Sequence, residues 1–414
     1  MTNLSSALHV RQGRLPAQFA PAVNAPPDHE TETGFVLADL VAAEGRVAAI
    51  TPQADGVALT LDAGGCYVLP GFVDLHIHGA AGADVMDADP AALATVARFL
   101  STCGVTSFLA TTMTAPHGAI LAAVAAVAAY GAEPQEGARL LGVHLEGPYI
   151  SPLFPGAQPA AAIRPPNLAE FAELAGAGPL RMITLAPEVP GADALIRTAR
   201  SHGLTVVLGH TDATYEECLA AVELGVSQAT HTYNAMSGLH HRRPGALGAT
   251  LSHDSIYAQL IADNIHVHPA GIKILARCKG SERTVLITDA IRATGMGPGH
   301  YDLAGQTVTV AEGACRLADG TLAGSILMMD EALRNFMAAT GYSLAEAWPT
   351  TSRTPACSIG LGREISSLAP GHCADLVLLD PQLAVVATVV GGRVVYLREP
   401  ERLRRNKTIV NCER

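Results

Sequence analysis

Residues 68–79 read Val-Leu-Pro-Gly-Phe-Val-Asp-Leu-His-Ile-His-Gly, an apolar run that ends in two histidines one residue apart. Alternate side chains of a strand share a face, so His76 and His78 point the same way. Two imidazoles aimed at one point from a strand end make a metal clamp. An isolated pair of this kind is more often a surface feature, so the clamp needs partners from elsewhere in the chain. Glu146, Glu188, His210, His231, Asp263 and Asp289 each follow an apolar run. Histidines and carboxylates recurring at such exits point to a metal site.

The runs themselves set the frame. Eight of them recur through the middle of the chain: Phe72–Ile77, Val105–Thr111, Leu140–Leu145, Met182–Ala186, Thr205–Leu208, Gln228–Thr230, Ile256–Ile261 and Val285–Ile287. Helical stretches separate them. Pro90–Ser101 carries Leu93, Val96, Ala97 and Leu100 at helical spacing. Thr214 to Glu217 forms a capping box, and Gly225 stands where that helix would end. Near-continuous apolar strands alternating with helices predict a parallel sheet covered by helices. Eight units suit a closed (β/α)₈ TIM barrel, although counting alone does not separate it from an open doubly wound sheet. In a barrel all the strand exits converge on one rim.

The ends differ from the middle. Residues 1–33 read as a loose extension. Phe35–Leu40, Val47–Ile50 and Val57–Leu61 look like short strands, as do Ala374–Leu379, Val385–Val390 and Val394–Leu397 around a Gly391-Gly392 turn. This predicts one small β domain assembled from residues 34–69 and 367–414, flanking a catalytic unit over 70–366.

With 414 residues, 49% hydrophobic and 16% charged, the chain is a globular protein with a large core. Its net charge of −11 argues against nucleic acid and membrane surfaces as partners. No run reaches the ~18 apolar residues of a membrane span, and the first 30 residues lack the pattern of a signal peptide. The eight cysteines are scattered without a C-x-x-C motif, which suggests reduced thiols in a cytoplasmic protein.

Five segments carry a resemblance: His76-Ile-His78, His144-Leu-Glu146-Gly-Pro148, Gly209-His-Thr-Asp-Ala-Thr214, His231-Thr-Tyr-Asn-Ala-Met236 and Thr288-Asp-Ala290. In this order they resemble the N-acetylglucosamine-6-phosphate deacetylases of the amidohydrolase superfamily, and the likeness runs from about Leu69 to Leu376. It implies a TIM barrel with a β-sandwich built from both termini, a homodimer, and hydrolysis of an N-acetyl amino-sugar 6-phosphate. It also implies a divalent metal, zinc before iron, cobalt, manganese or cadmium, held by Glu146, His210 and His231. Such a set leaves a position for water and lowers its pKa towards ~7. Asp289 matches the catalytic aspartate, a carboxylate able to take a proton from water and return it to the departing nitrogen. His76 and His78 would hold a second ion where one binds, so one or two ions per chain stay open. Asn234, Ala235 and His266 match sugar contacts, and Arg242 matches a phosphate-binding arginine, a planar cation suited to that anion. His144 would be structural, deeper in the barrel.

Three positions depart from the family pattern. Gln158 replaces a usual histidine in Gly156-Ala157-Gln158, Arg243 replaces an acidic residue, and Ser237 replaces a common proline. All are expected to face substrate rather than touch a metal ligand, which leaves the sugar open: the galactosamine epimer or another N-acyl amino sugar is the alternative. A cyclic-amide hydrolase would often carry a carbamylated lysine where this chain has Glu146. A non-catalytic binding relic should have lost a ligand or Asp289, and none is missing.

Overall fold

The apolar runs of the middle region are strands buried on both faces. In the computed structural model, which describes residues 7–20, 34–54, 59–133 and 135–405, eight parallel strands pair in sequence order. They are β1 (Phe72–Ile77), β2 (Val105–Thr112), β3 (Arg139–Glu146), β4 (Leu180–Leu185), β5 (Thr205–Leu208), β6 (Val226–Ala229), β7 (Tyr257–Ile261) and β8 (Thr284–Ile287). The two edges meet just beyond β8. The Asp289 amide donates to the His76 carbonyl at 2.9 Å, the His78 amide donates to the Ala290 carbonyl at 2.8 Å, and Ile77 bridges Ala290 in parallel. The barrel is therefore closed at the rim where its strands end, through the backbone of His76, Ile77, His78, Asp289 and Ala290.

Strand β6 has the weakest apolar signal because part of the barrel interior is polar. Thr230 donates to Gln259 Oε1 at 3.0 Å, Gln259 Nε2 to Gln228 Oε1 at 3.1 Å, and Gln228 Nε2 to the Ser358 carbonyl at 3.1 Å. All three residues are fully buried, and each partner satisfies a group that would otherwise cost stability.

The expected helices form. Pro90–Thr102 starts from an Asp89 cap and buries Leu93, Val96, Ala97 and Leu100. Tyr215–Leu224 begins at the Thr214–Glu217 capping box and ends at Gly225, whose φ of 113° suits glycine. None of the helices, among the described residues, is long and apolar enough to cross a membrane.

Strands from both termini build the small sandwich. One path runs from Arg393–Leu397 through Val385–Val390, Leu376–Leu379, Tyr67–Pro70, Leu8–Pro16 and Phe35–Ala43 to Arg46–Thr51. Leu59–Asp62 and Leu403–Arg405 join beside it. Their core includes Leu8, Val10, Leu15, Leu40, Leu61, Val68, Leu376 and Val386. Val57, expected within a strand, lies outside the described residues.

The loose extension expected over 1–33 needs correction, because Leu8–Pro16 is a strand inside this sheet. It pairs antiparallel with Phe35–Ala43 and parallel with Leu59–Asp62. A register shift between Val10 and Gly13 interrupts the alternation of Leu8, Val10 and Leu15, so no clean period of two reaches the sequence.

A second element is not visible as an apolar run. Between β8 and the helix Met329–Thr340, the strands Gly299–Leu303, Gln306–Ala311 and Ala314–Arg316 form an antiparallel sheet. It packs Leu303, Val308, Val310 and Cys315 against Met113, Ile291 and Ala323. Gln306 Nε2 donates to the Ala157 carbonyl at 2.7 Å, which ties this sheet to the loop after β3.

Candidate active site

Glu146 ends β3, and four imidazoles converge on its carboxylate. Its Oε1 lies 3.2 Å from Nε2 of His210, 3.2 Å from Nε2 of His231 and 3.3 Å from Nε2 of His76. Its Oε2 lies 3.2 Å from Nε2 of His78. Asp289 Oδ1 completes the cluster, 3.4 Å from His76 Nε2 and 3.2 Å from His78 Nε2. All of these side chains are buried.

The far nitrogens explain the aim. Nδ1 of His210 bonds the Phe154 carbonyl, Nδ1 of His231 the Asn234 carbonyl, and Nδ1 of His78 the Thr111 carbonyl. A carbonyl only accepts, so each Nδ1 carries a proton and Nε2 is the nitrogen that each ring turns inward. Nδ1 of His76 bonds Thr230 Oγ1 at 3.0 Å, whose own proton goes to Gln259. Backbone conformation also serves the cluster. His210, His231 and Asp289 have φ values of 48°, 22° and 51°, a region costly for residues with a Cβ and frequent at functional sites. Gly209 allows the turn into His210, since a Cβ there would sit 2.0 Å from Thr230 Cγ2.

This donor set fits a divalent cation. His210 and His231 Nε2 are 3.1 Å apart, and His76 and His78 Nε2 are 3.3 Å apart. Inward lone pairs at such distances repel unless a proton or a cation lies among them. Two groups of three could hold an ion, His76–His78–Glu146 and Glu146–His210–His231, with Glu146 common to both. Softer thiolates are absent from both groups, and N and O donors suit zinc and its first-row neighbours.

The charges respond as burial and proximity dictate. Burial pushes His78 down, but the Asp289 and Glu146 carboxylates outweigh it and hold the ring well above its ordinary value. Burial would raise Asp289, yet His76 and His78 bring it to about 2. Glu146 is likewise held well below the usual carboxylate range, against its burial, by His76 and the rings around it. His144 is fully buried and pushed well below its ordinary value, first by burial and then by His76. It bonds Thr184 Oγ1 at 2.8 Å and Thr111 Oγ1 at 3.3 Å, beneath the cluster.

Above the cluster lies a cleft of about 210 Å³. His78, Glu146, His210, His231, Asn234, Ala235, His266 and Asp289 line it. His266 is fixed by Asp263, whose Oδ2 lies 2.6 Å from Nδ1 and whose Oδ1 accepts the Ile265 and His266 amides. Asp263 therefore orients a lining residue. Glu188 accepts Thr211 Oγ1 and the Asp212 amide, and so shapes the loop after β5.

Arg242 does not line this cleft. It is exposed beside His241 and borders a neighbouring hollow with Asp212, Thr214, Ser237 and Arg243. Ser237 donates to the Ala213 carbonyl and accepts the Ala246 amide, a structural role outside the cleft. Gln158 corrects the expectation that none of the departures touches a presumed ligand: its Nε2 donates to Glu146 Oε2 at 2.8 Å. Met113, Leu303 and Leu322, which also line the cleft, carry no signal in the sequence, because distant elements bring them there.

Comparison with known proteins agrees with this geometry. Residues 67–395 match the model of the amidohydrolase family. An N-acetylglucosamine-6-phosphate deacetylase of Vibrio furnissii is 41% identical over 80% of this chain and 83% of its own. An N-acetylgalactosamine-6-phosphate deacetylase of Escherichia coli O157:H7 is 40% identical over 85% and 93%. A Mycobacterium smegmatis N-acetyl-D-glucosamine-6-phosphate deacetylase mutant, solved in complex with N-acetyl-D-glucosamine 6-phosphate, superposes with a TM-score of 0.84. It is 32% identical, and the match covers 94% of this chain and 98% of that one. With a barrel closed at its histidine-lined rim and likeness across most of its length, the chain belongs to the amidohydrolase family.

Proposed function

We propose that this chain is a metal-dependent deacetylase that hydrolyses N-acetyl-D-glucosamine 6-phosphate to glucosamine 6-phosphate and acetate. The observation that carries the reading is the convergence of four inward Nε2 atoms on Glu146, two of them also facing Asp289, at the floor of a cleft in a chain whose relatives bear that name. Glu146, His210 and His231 would hold one divalent ion, zinc first, and His76 and His78 with Glu146 a second. Such an ion, when bound, activates water and polarises the acyl carbonyl.

The chain's own groups do the rest. The Asp289 carboxylate, ionised at neutral pH, accepts a proton from the attacking water at Oδ1 or Oδ2. It then delivers that proton to the amide nitrogen, without which the amine leaves poorly. His266 has Nδ1 committed to Asp263, which leaves Nε2 for the sugar. Asn234 and Ala235 border the sugar side of the cleft. Arg242 would take the phosphate, which requires the 238–244 segment to close over the cleft or to come from a second copy in a homodimer. The catalytic unit spans 70–366, and a cytoplasmic setting suits a sugar-phosphate substrate.

A second reading keeps the chemistry and changes the sugar. The E. coli relative at 40% identity is named for the galacto epimer. Initial-rate measurement of acetate release from both epimers separates the two. A higher kcat/KM for the gluco compound supports the main reading, and a higher value for the galacto compound replaces it.

A further inference from the structure

Gln158 is buried in the wall of the cleft, twelve residues beyond Glu146, on a loop that follows β3. Its side-chain oxygen accepts the Thr114 amide at 2.7 Å, and its nitrogen donates to Glu146 Oε2 at 2.8 Å. The Thr114 amide can only donate, so it fixes which end of the Gln158 amide faces the carboxylate. The loop that carries Gln158 is itself held close. Gly156 packs against His210, where a Cβ would lie 3.2 Å from the ring, and the Ala157 carbonyl accepts Gln306.

We propose that Gln158 is the positioning residue of Glu146, clamping its carboxylate so that Oε1 is presented to His210 and His231. The inference rests on the metal reading above. A carboxylate at the end of a strand rotates about its last bond unless one oxygen is held. The clamp holds Oε2, and the remaining oxygen then faces the two rings at 3.2 Å each. A hydrogen bond from a neutral amide also draws charge from Oε2, which makes Oε1 the stronger donor of the two. The ion in the Glu146–His210–His231 group is consequently the tightly held one, and its affinity depends on a residue that does not touch it. Loss of such an outer partner typically costs ~10–100-fold in metal affinity.

Zinc affinity of the metal-free protein, measured by competition with a chromogenic chelator, tests this. Gln158→Met keeps the length and packing of the side chain and removes both hydrogen bonds. Gln158→His keeps an acceptor and a donor spaced like those of the amide. The inference predicts tight-site affinity ~10–100-fold weaker in Gln158→Met and within about threefold of the wild type in Gln158→His. Wild-type affinity in Gln158→Met overturns the clamp, and so does an equal loss in both variants. Wild-type protein that binds no zinc removes the metal reading itself, a result separable from failure of the clamp alone.

Discussion

His78 Nε2 stands 3.2 Å from Asp289 Oδ1, so the first and last strands of the barrel meet at one carboxylate oxygen. The backbone makes the same join, with the Asp289 amide on the His76 carbonyl. The residues that close the barrel are thus also residues of the cluster. Asp289, the proposed proton carrier, sits at that seam beside His76 and His78, with a φ of 51° that residues bearing a Cβ seldom adopt.

The proton role of Asp289 is tested by Asp289→Asn, which preserves shape and removes the basic oxygen. We expect kcat to fall ~10²–10⁴-fold with metal content unchanged. Near-normal acetate release from metal-replete variant protein would contradict the assignment.

The paired histidines of β1 decide a narrower question. Glu146, His210 and His231 form a group without them. A chain carrying both His76→Ala and His78→Ala should retain one ion by elemental analysis after dialysis. Loss of all metal would show that the two groups are not separable.

Arg242 lies outside the cleft, exposed, in a segment with Arg243, His240 and His241. Its proposed partner is the phosphate, so Arg242→Ala should raise KM for the 6-phosphate by ~10-fold or more and leave KM for the unphosphorylated sugar unchanged. Equal effects on both substrates would remove the phosphate role.

Asp84, outside both candidate ligand groups but close enough to His78 to feel its charge, supplies a pH test. Burial raises its carboxyl to about 6, incompletely opposed by the Met86 amide, by His78 and by Arg292. An acid with a raised folded pKa holds its proton more firmly folded than unfolded. Its contribution is therefore fully present below the ordinary value of 3.8 and lost as pH rises through about 6. That span is worth on the order of 3 kcal/mol. Asp84→Asn keeps an oxygen for the Met86 amide, so the variant should gain on the wild type by about that amount between pH 4 and pH 7 in denaturant titrations. Parallel stability curves would contradict it.

The legible parts of this molecule are those where local pattern and tertiary role coincide. Strands buried on both faces write themselves as apolar runs, and a strand exit is a position that a histidine or carboxylate can mark. His76, Glu146, His210, His231 and Asp289 were all readable on that ground. Leu8–Pro16 was not, because a bulge at Val10–Gly13 breaks its alternation. The strands Gly299–Leu303, Gln306–Ala311 and Ala314–Arg316 were not, because short strands that alternate buried with exposed residues make no continuous apolar run. The contact between Gln158 and Glu146 depends on how a loop folds back, and spacing does not encode that. The placement of Arg242 outside the cleft is of the same kind, since a motif fixes its neighbours in sequence and not the path of its loop.

On the proposed function, the cluster around Glu146 hydrolyses the N-acetyl group of an amino-sugar phosphate with a metal ion. Its most direct test is acetate release from N-acetyl-D-glucosamine 6-phosphate by protein stripped with chelator and then reloaded with zinc. Acetate and glucosamine 6-phosphate are expected in equal amounts from the reloaded protein, with release abolished in the stripped protein. Undiminished release without metal, or none from reloaded and folded protein with either epimer, would contradict it.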